Sequence, residues 1–385
     1  MQGTNEPNIT GNELKYLKDS IKKKEIAIGQ YQNKFQKKIS QLVKSKFTLL
    51  CSSGSAALHV SLRCLGIKKN QEVIVPTFTF IATVNSVIYN NAIPVFMDCD
   101  DYCNIDVNKV LTFLDKNTYQ KNKRCINKLT NNVIHSIIVV HVWGGLVDLE
   151  SLVKICKKKN IKIIEDAAES LNSYYTKGKL KNRYAGTIGD IGCLSFNGNK
   201  IITSAGGGAI LTKNKKIYEK AKYLINQATD VQFNYIHNEI GYNYRLSNIH
   251  SAIGLAQLEN IDKFINQKEK IHFQYKEIFS EINKVSIISF PNYCKSNYWQ
   301  TNLIIHDKNY KQIIKKIKVS LEKIGYSIRQ AWTPLHLQKP LLNFQKYNIK
   351  NSKKIADRLI CLPNSSFLKK TEITKISKNI MYNLK

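Results

Sequence analysis

Between residues 47 and 211, short apolar runs alternate with stretches whose apolar positions recur at helical spacing. The runs are 47–51, 72–75, 94–97, 134–141, 161–165, 192–196 and 209–211. Those at 134–141 and 161–165 are continuous and rich in Ile and Val, as strands buried on both faces should be. Leu58, Leu62 and Leu65 mark one helical face after Gly54, and Asp148 stands where it would cap a helix running to Lys158. Strand–helix alternation over this length predicts an α/β domain with a mainly parallel sheet.

The pattern turns helical from Ser247 to about residue 279, where Ile249, Ile253, Ala256 and Leu258 recur. Beyond it come a strand-like run at 302–305, a helix near 310–324 and a terminal helix near 371–384. The expected organisation is an N-terminal arm and helix at 1–45, a large α/β domain at 46–260 and a smaller α+β domain at 261–385.

Composition changes this picture little. The 43% hydrophobic content is that of a soluble globular protein. No apolar run of about 18 residues exists, and the first residues lack the basic and apolar regions of a signal peptide, so no membrane span and a cytoplasmic location are expected. Nine scattered cysteines fit reduced thiols, and no zinc-ligand spacing is present, so no metal is expected. The net charge of +31 raises a nucleic-acid reading. The lysines, however, run from end to end without a zinc-finger, RNA-recognition or helix-turn-helix pattern, so no nucleic-acid partner is expected.

Three constellations carry chemistry. In Ser52-Ser-Gly-Ser-Ala-Ala-Leu58 a strand ends and a helix begins. Gly54 and Ser55 there suit either a plain capped helix or a phosphate cup built on free backbone amides. In Ile163-Ile-Glu-Asp-Ala-Ala-Glu-Ser170, three acids follow a buried strand, where parallel sheets bind ligands. They suit either a helix cap or a buried ion pair. In Ser195-Phe-Asn-Gly-Asn-Lys200, followed by Gly206-Gly-Gly208, one lysine sits in a polar glycine-rich loop, the setting of a nucleophilic amine. Acid, then strand, then lysine, in that order, suits a pyridoxal phosphate site. Two further segments are compatible with it. Val75-Pro-Thr-Phe-Thr-Phe80 offers an aromatic for a planar ring, and Gly241-Tyr-Asn-Tyr-Arg-Leu-Ser-Asn248 is a polar aromatic loop or the capped start of a helix.

Taken together, SGSAAL, VPTFTFIAT, EDAAES, GDIGCLSFNGNKIITSAGGG and GYNYRLSN resemble the fold-type I pyridoxal-phosphate-dependent nucleotide-sugar aminotransferases, the DegT/DnrJ/EryC1/StrS family. The likeness runs from about Gly11 to the C-terminus. NKLT, HVWGG, EDAAES and LHLQKP draw it toward the branch that aminates 4-keto-6-deoxy-N-acetylhexosamine nucleotides on routes to legionaminic acid or bacillosamine.

The resemblance implies that Lys200 is the Schiff-base lysine and Asp166 the partner of the pyridine nitrogen, with Glu169 near the phenolic oxygen. Gly54, Ser55 and Ser195 match the phosphate cup, and Phe80 the ring-stacking aromatic. Asn243 matches a residue that reaches the neighbouring subunit's site, which implies a homodimer. Arg329 and His336 fall in the segment that borders the sugar-nucleotide cleft. The implied reaction takes a nucleotide sugar and L-glutamate. Lys200 is present, and relatives that dehydrate sugars replace it. The alternatives are a GDP-linked 4-keto-6-deoxymannose substrate, a 3-keto sugar, or a cofactor-binding regulatory protein without turnover. The chain departs from the family pattern at Lys24-Glu-Ile-Ala-Ile-Gly-Gln30, where relatives carry a tryptophan-valine-serine type segment, and at Arg329-Gln-Ala-Trp-Thr333, which lacks the usual proline.

Overall fold

Adjacent residues of the central strands face two different cores. Val73 and Val75 pack into one apolar cluster and Ile74 into the other; likewise Ile138 and Ile164 oppose Ile137, Val139 and Ile163. A strand can be apolar at every position only when both faces of its sheet are covered. The computed structural model, which describes residues 1–231 and 233–384, has helices on both faces of such a sheet.

The sheet runs in the order 47–51, 208–212, 191–195, 162–166, 133–140, 72–76, 93–97 and 346–347. From strand Ile191–Ser195 to strand Lys346–Tyr347 every neighbouring pair is parallel. Strands Gly208–Thr212 and Phe47–Cys51 extend it antiparallel. All seven expected strands form. The hairpin Thr118–Lys121 with Arg124–Asn127 and the short strand Lys346–Tyr347 were not anticipated.

Helix Leu149–Lys159 starts as expected, with Asp148 Oδ1 accepting from the Glu150 amide at 3.3 Å. The helical stretch after Ser247 is two helices, Asn248–Leu258 and Ile261–Phe279, broken at Glu259 and Asn260. The first carries the N-terminal arm, whose helices Glu13–Lys22 and Gln30–Val43 pack on it. The departing segment 24–30 is fixed there too: the Asn248 amide donates to Ala27 O at 3.1 Å and its side-chain amide to Glu25 O at 2.7 Å.

A second, antiparallel sheet orders strands 285–287, 302–305, 359–361 and 329–330. Helices Ile261–Phe279, Tyr310–Lys323 and Lys370–Tyr382 cover it around a separate apolar core. The chain after Gln330 also returns to the large sheet: Lys346 and Tyr347 pair with Phe96 and Met97, and Asp98 accepts the amides of Lys350, Asn351 and Ser352. The cleft lies where this returning segment, the carboxyl ends of the parallel strands and the second sheet meet. Among the described residues no helix is long and apolar enough to cross a membrane.

Candidate active site

A cavity of about 500 Å³ collects seven of the ten expected residues from chain segments far apart: Gly54, Ser55, Phe80, Asp166, Glu169, Ser195 and, at its floor, Lys200. Arg329 lines it as well.

Each residue is placed by the local fold. Asp166 is the last residue of strand Lys162–Asp166 and is 5% exposed. Its Oδ2 accepts from Thr83 Oγ1 at 2.8 Å and its Oδ1 from the Ala168 amide at 3.2 Å. Burial raises its proton affinity above the ordinary carboxylate range, against the pull of Thr83, the Ala168 amide and the Lys200 charge. No ion pair joins it among the described residues. Glu165, one position earlier, points to the other side of the strand. Burial pushes it up, but the bond and charge of His141, at 2.9 Å, and the amides of Gly189 and Gly186 outweigh that and hold it below its usual value. Glu165 therefore braces the loop 186–189 behind the strand, while Asp166 faces the cleft.

Lys200 follows the strand Ile191–Ser195, and its Nζ stands between a carboxylate and an aromatic ring. Glu169 Oε1 lies at 3.2 Å and the Trp299 ring centroid at 4.4 Å. Glu169 also accepts from the Trp143 amide at 2.9 Å. Burial raises Glu169, and the Lys200 charge draws it back.

At the other end of the cavity, helix Gly54–Cys64 abuts the end of strand Ile191–Ser195. Ser53 Oγ caps the helix by accepting from the Ala56 amide at 3.0 Å. The Gly54 and Ser55 amides have no intrahelical acceptor. A Cβ on Gly54 would stand 2.9 Å from Ser195 Cβ, so glycine is what lets helix and serine meet. Gly208 is required for a like reason: a Cβ there would lie 2.6 Å from the Ser53 backbone. Phe80 precedes helix Ala82–Tyr89 and leaves its ring 57% exposed beside the cavity.

Two expected residues lie elsewhere. His336 does not line the cavity. It is 8% exposed, its Nδ1 is 2.6 Å from Thr77 Oγ1 and its amide bonds the same oxygen, so it ties the returning segment to the end of strand Glu72–Pro76. The segment expected to border the cleft does so through Arg329 and Trp332, while His336 ties it to the large sheet. Asn243 is exposed and outside the cavity of its own chain, beside Asn226.

The sequence motifs assign the tryptophans no role. The chain has three, and Trp143, Trp299 and Trp332 all line the cavity. Trp143 and Trp332 stand 5.4 Å apart, with Phe78 against both. Trp143 has φ 54°, a left-handed conformation costing about 1–3 kcal/mol for a bulky residue. Its amide bond to Glu169 helps to hold it there. Rarity of tryptophan was the available signal.

This donor set suits pyridoxal phosphate. A buried carboxylate without a cationic partner, an amine, free helix amides beside a serine hydroxyl and an exposed aromatic face share one cavity. Asp166 would hold the pyridine nitrogen, Lys200 the aldehyde carbon, Gly54, Ser55 and Ser195 the phosphate, and Phe80 the ring face. The fold and site thus define a fold-type I pyridoxal-phosphate-dependent transferase.

Comparison with known proteins narrows the class. Residues 7–381 match the DegT/DnrJ/EryC1/StrS aminotransferase family, and the chain belongs to it. It is 32% identical to GDP-perosamine synthase of Escherichia coli O157:H7, over 97% of this chain and 96% of that protein. It is 31% identical to EpsN of Bacillus subtilis (strain 168), over 98% and 94%. The fold is shared with Helicobacter pylori PseC, an aminotransferase involved in pseudaminic acid biosynthesis, at a TM-score of 0.86 and 24% identity over 99% and 98% of the two chains. The protein is a pyridoxal-phosphate-dependent aminotransferase.

Proposed function

We propose that this aminotransferase acts on a nucleotide sugar. In this reading it converts a 4-keto-6-deoxy-N-acetylhexosamine, linked to UDP, into the 4-amino sugar with L-glutamate as amino donor, in the synthesis of a surface glycan or nonulosonic acid. The observation that carries the reading is the Lys200 amine, held between Glu169 and Trp299 at the floor of a cavity with Asp166 at one end and the Gly54 helix amides at the other.

Bound pyridoxal phosphate supplies an electron sink for the carbanion at the amino-bearing carbon. The chain supplies the rest. Asp166 keeps the pyridine nitrogen protonated through a charge-assisted hydrogen bond. Lys200 Nζ takes the proton from the donor's α-carbon and, in the second half, delivers one to sugar C4. Glu169 and the Trp299 face hold that amine on line. The helix amides and Ser195 would hold the phosphate. Trp143 and Trp332 offer flat faces for the apolar side of a sugar ring, and Arg329 a cation for the diphosphate or the donor carboxylate.

A second reading, a GDP-linked 4-keto-6-deoxymannose, is favoured by the 32% identity to GDP-perosamine synthases of E. coli O157:H7 and Vibrio cholerae. Steady-state turnover with both nucleotide sugars decides between the two. The UDP reading expects kcat/KM at least about tenfold higher with the UDP substrate, about 1.4 kcal/mol in transition-state binding; the reverse ratio overturns it.

The working unit in this proposal is a homodimer in a cytoplasmic setting. Asn243 would serve the neighbouring subunit's site, and the apolar side chains near it support that: Phe233 is 94% exposed, Tyr235 78% and Ile240 77%. Ile26 and Ile28 of the departing arm segment are exposed as well. The division at 45/46 and 260/261 remains the proposed domain plan, with the segment after Gln330 shared between both sheets.

A further inference from the structure

Behind the cavity floor lies a lysine that does not reach it. Lys268 sits on helix Ile261–Phe279, is 5% exposed and has no charged partner among the described residues. Its Nζ donates to Asn5 Oδ1 at 2.6 Å, to Asn364 O at 2.5 Å and to Trp299 O at 3.3 Å. An ammonium has three protons and no acceptor, so three oxygens saturate it; a neutral amine could serve only two. Burial pulls the proton affinity of Lys268 down to about 7, while the three oxygens favour the charged form. Burying a cation without a counter-ion is costly, and an apolar side chain of similar length would fill the space more cheaply. What the lysine achieves is placement.

Two things are placed. One is the N-terminal strap, residues 2–8. Asn5 is gripped between Lys268 and Gln300, whose Oε1 accepts from Asn5 Nδ2 at 2.5 Å. Thr4 O accepts from the Asn364 amide at 2.7 Å, and the Gln2 amide donates to Gly325 O at 2.7 Å. Thr4 and Asn5 line the active-site cavity. The other is Trp299, whose carbonyl bonds Lys268 and whose ring carries the Lys200 amine.

We propose that Lys268 is a positioning residue for the sugar half of the reaction: its ammonium fixes Thr4 and Asn5 as a wall of the substrate cavity, while Trp299 is kept beneath Lys200 by its further bonds to Asn297 Oδ1 and Asn199 O. The ligand assignment rests on the nucleotide-sugar reading above. Glutamate needs only the room around Lys200. A sugar nucleotide is several times larger and must extend along the cavity walls, the strap among them.

The test compares wild type, Lys268→Met, Lys268→Arg and Asn5→Ala as full-length, cofactor-loaded protein. Hydrogen exchange reads the strap amides of Gln2, Gly3 and Glu6. Tryptophan fluorescence reads binding of two unreactive probes, UDP-N-acetylglucosamine and GDP-mannose. Loss of visible cofactor absorbance on adding glutamate reads the donor half. The expected result for Lys268→Met is strap exchange and probe Kd each raised about tenfold, with the glutamate rate within about twofold of wild type. Lys268→Arg, which keeps the charge, should recover part of the strap protection. Asn5→Ala, a change on the strap itself, should raise the probe Kd in a protein that still folds, and it decides the matter if Lys268→Met does not fold. Unchanged strap exchange in Lys268→Met, equal losses in both halves, or unaltered probe binding by Asn5→Ala would each overturn the proposal. If wild type itself fails to respond to glutamate, the functional reading falls, while strap exchange still decides the role of Lys268.

Discussion

Burial raises Asp166, so in the protein alone its carboxylate opposes folding. The sign follows from linkage. An acid whose folded pKa exceeds its unfolded value carries no penalty below the unfolded pKa, and the penalty grows as pH rises toward the folded pKa. Cofactor-free protein is therefore expected to melt higher as Asp166→Asn than as wild type near neutral pH. The same change should remove most turnover, because an amide cannot hold the pyridine nitrogen charged. Calorimetry on cofactor-free protein, paired with a transaminase assay, checks both signs. Lys200→Ala should lose about 10²–10⁴-fold or more in kcat through the proton-transfer role alone, with folding intact because among the described residues the amine meets Glu169 and the Trp299 face and no structural ion-pair network. A stopped assay with a 4-keto sugar nucleotide measures it.

Among the connecting elements, the loop His141-Val-Trp-Gly-Gly145 is tightly constrained. Gly144 has φ 93°, and a Cβ there would stand 2.2 Å from Asn297 Oδ1. That asparagine bonds the carbonyls of Glu169 and Leu171 and accepts from the Trp299 amide. Gly144→Ala should thus cost about 1–3 kcal/mol by overpacking, read from a denaturant midpoint, and should weaken the Lys200–Trp299 contact as well. The parallel strands were legible because continuous Ile/Val runs have few other uses. Asp166 and Lys200 were legible because each sits in a contiguous motif at a strand end. The hairpin at 118–127 was not, since its strands are short and largely polar, and neither was 346–347, which is two residues. Trp299, Gln300, Thr4 and Lys268 meet the site only through tertiary folding, so no local spacing announces them. His336 was placed by its neighbourhood in sequence, yet the residues around it divide: Arg329 and Trp332 line the cavity while His336 turns onto Thr77.

At the scale of the whole molecule, the charge of +31 produces a positive field that favours approach of an anionic sugar nucleotide. Its kcat/KM should fall as ionic strength rises past the point where the Debye length is about 10 Å, near 0.1 M, and a salt series measures that. Because all three tryptophans line one cavity, intrinsic fluorescence should report cofactor and substrate binding with almost no background from the rest of the fold. Both expectations depend on the claim that one cavity, with Lys200 at its floor, performs both halves of an amino transfer. The most direct test of that claim is a visible spectrum of the purified protein loaded with pyridoxal phosphate, followed through two additions. The expected result is a lysine-dependent absorbance, absent from Lys200→Ala, that glutamate bleaches and a 4-keto-6-deoxy sugar nucleotide restores. Full turnover by Lys200→Ala, or a wild-type spectrum that neither addition changes, would contradict it.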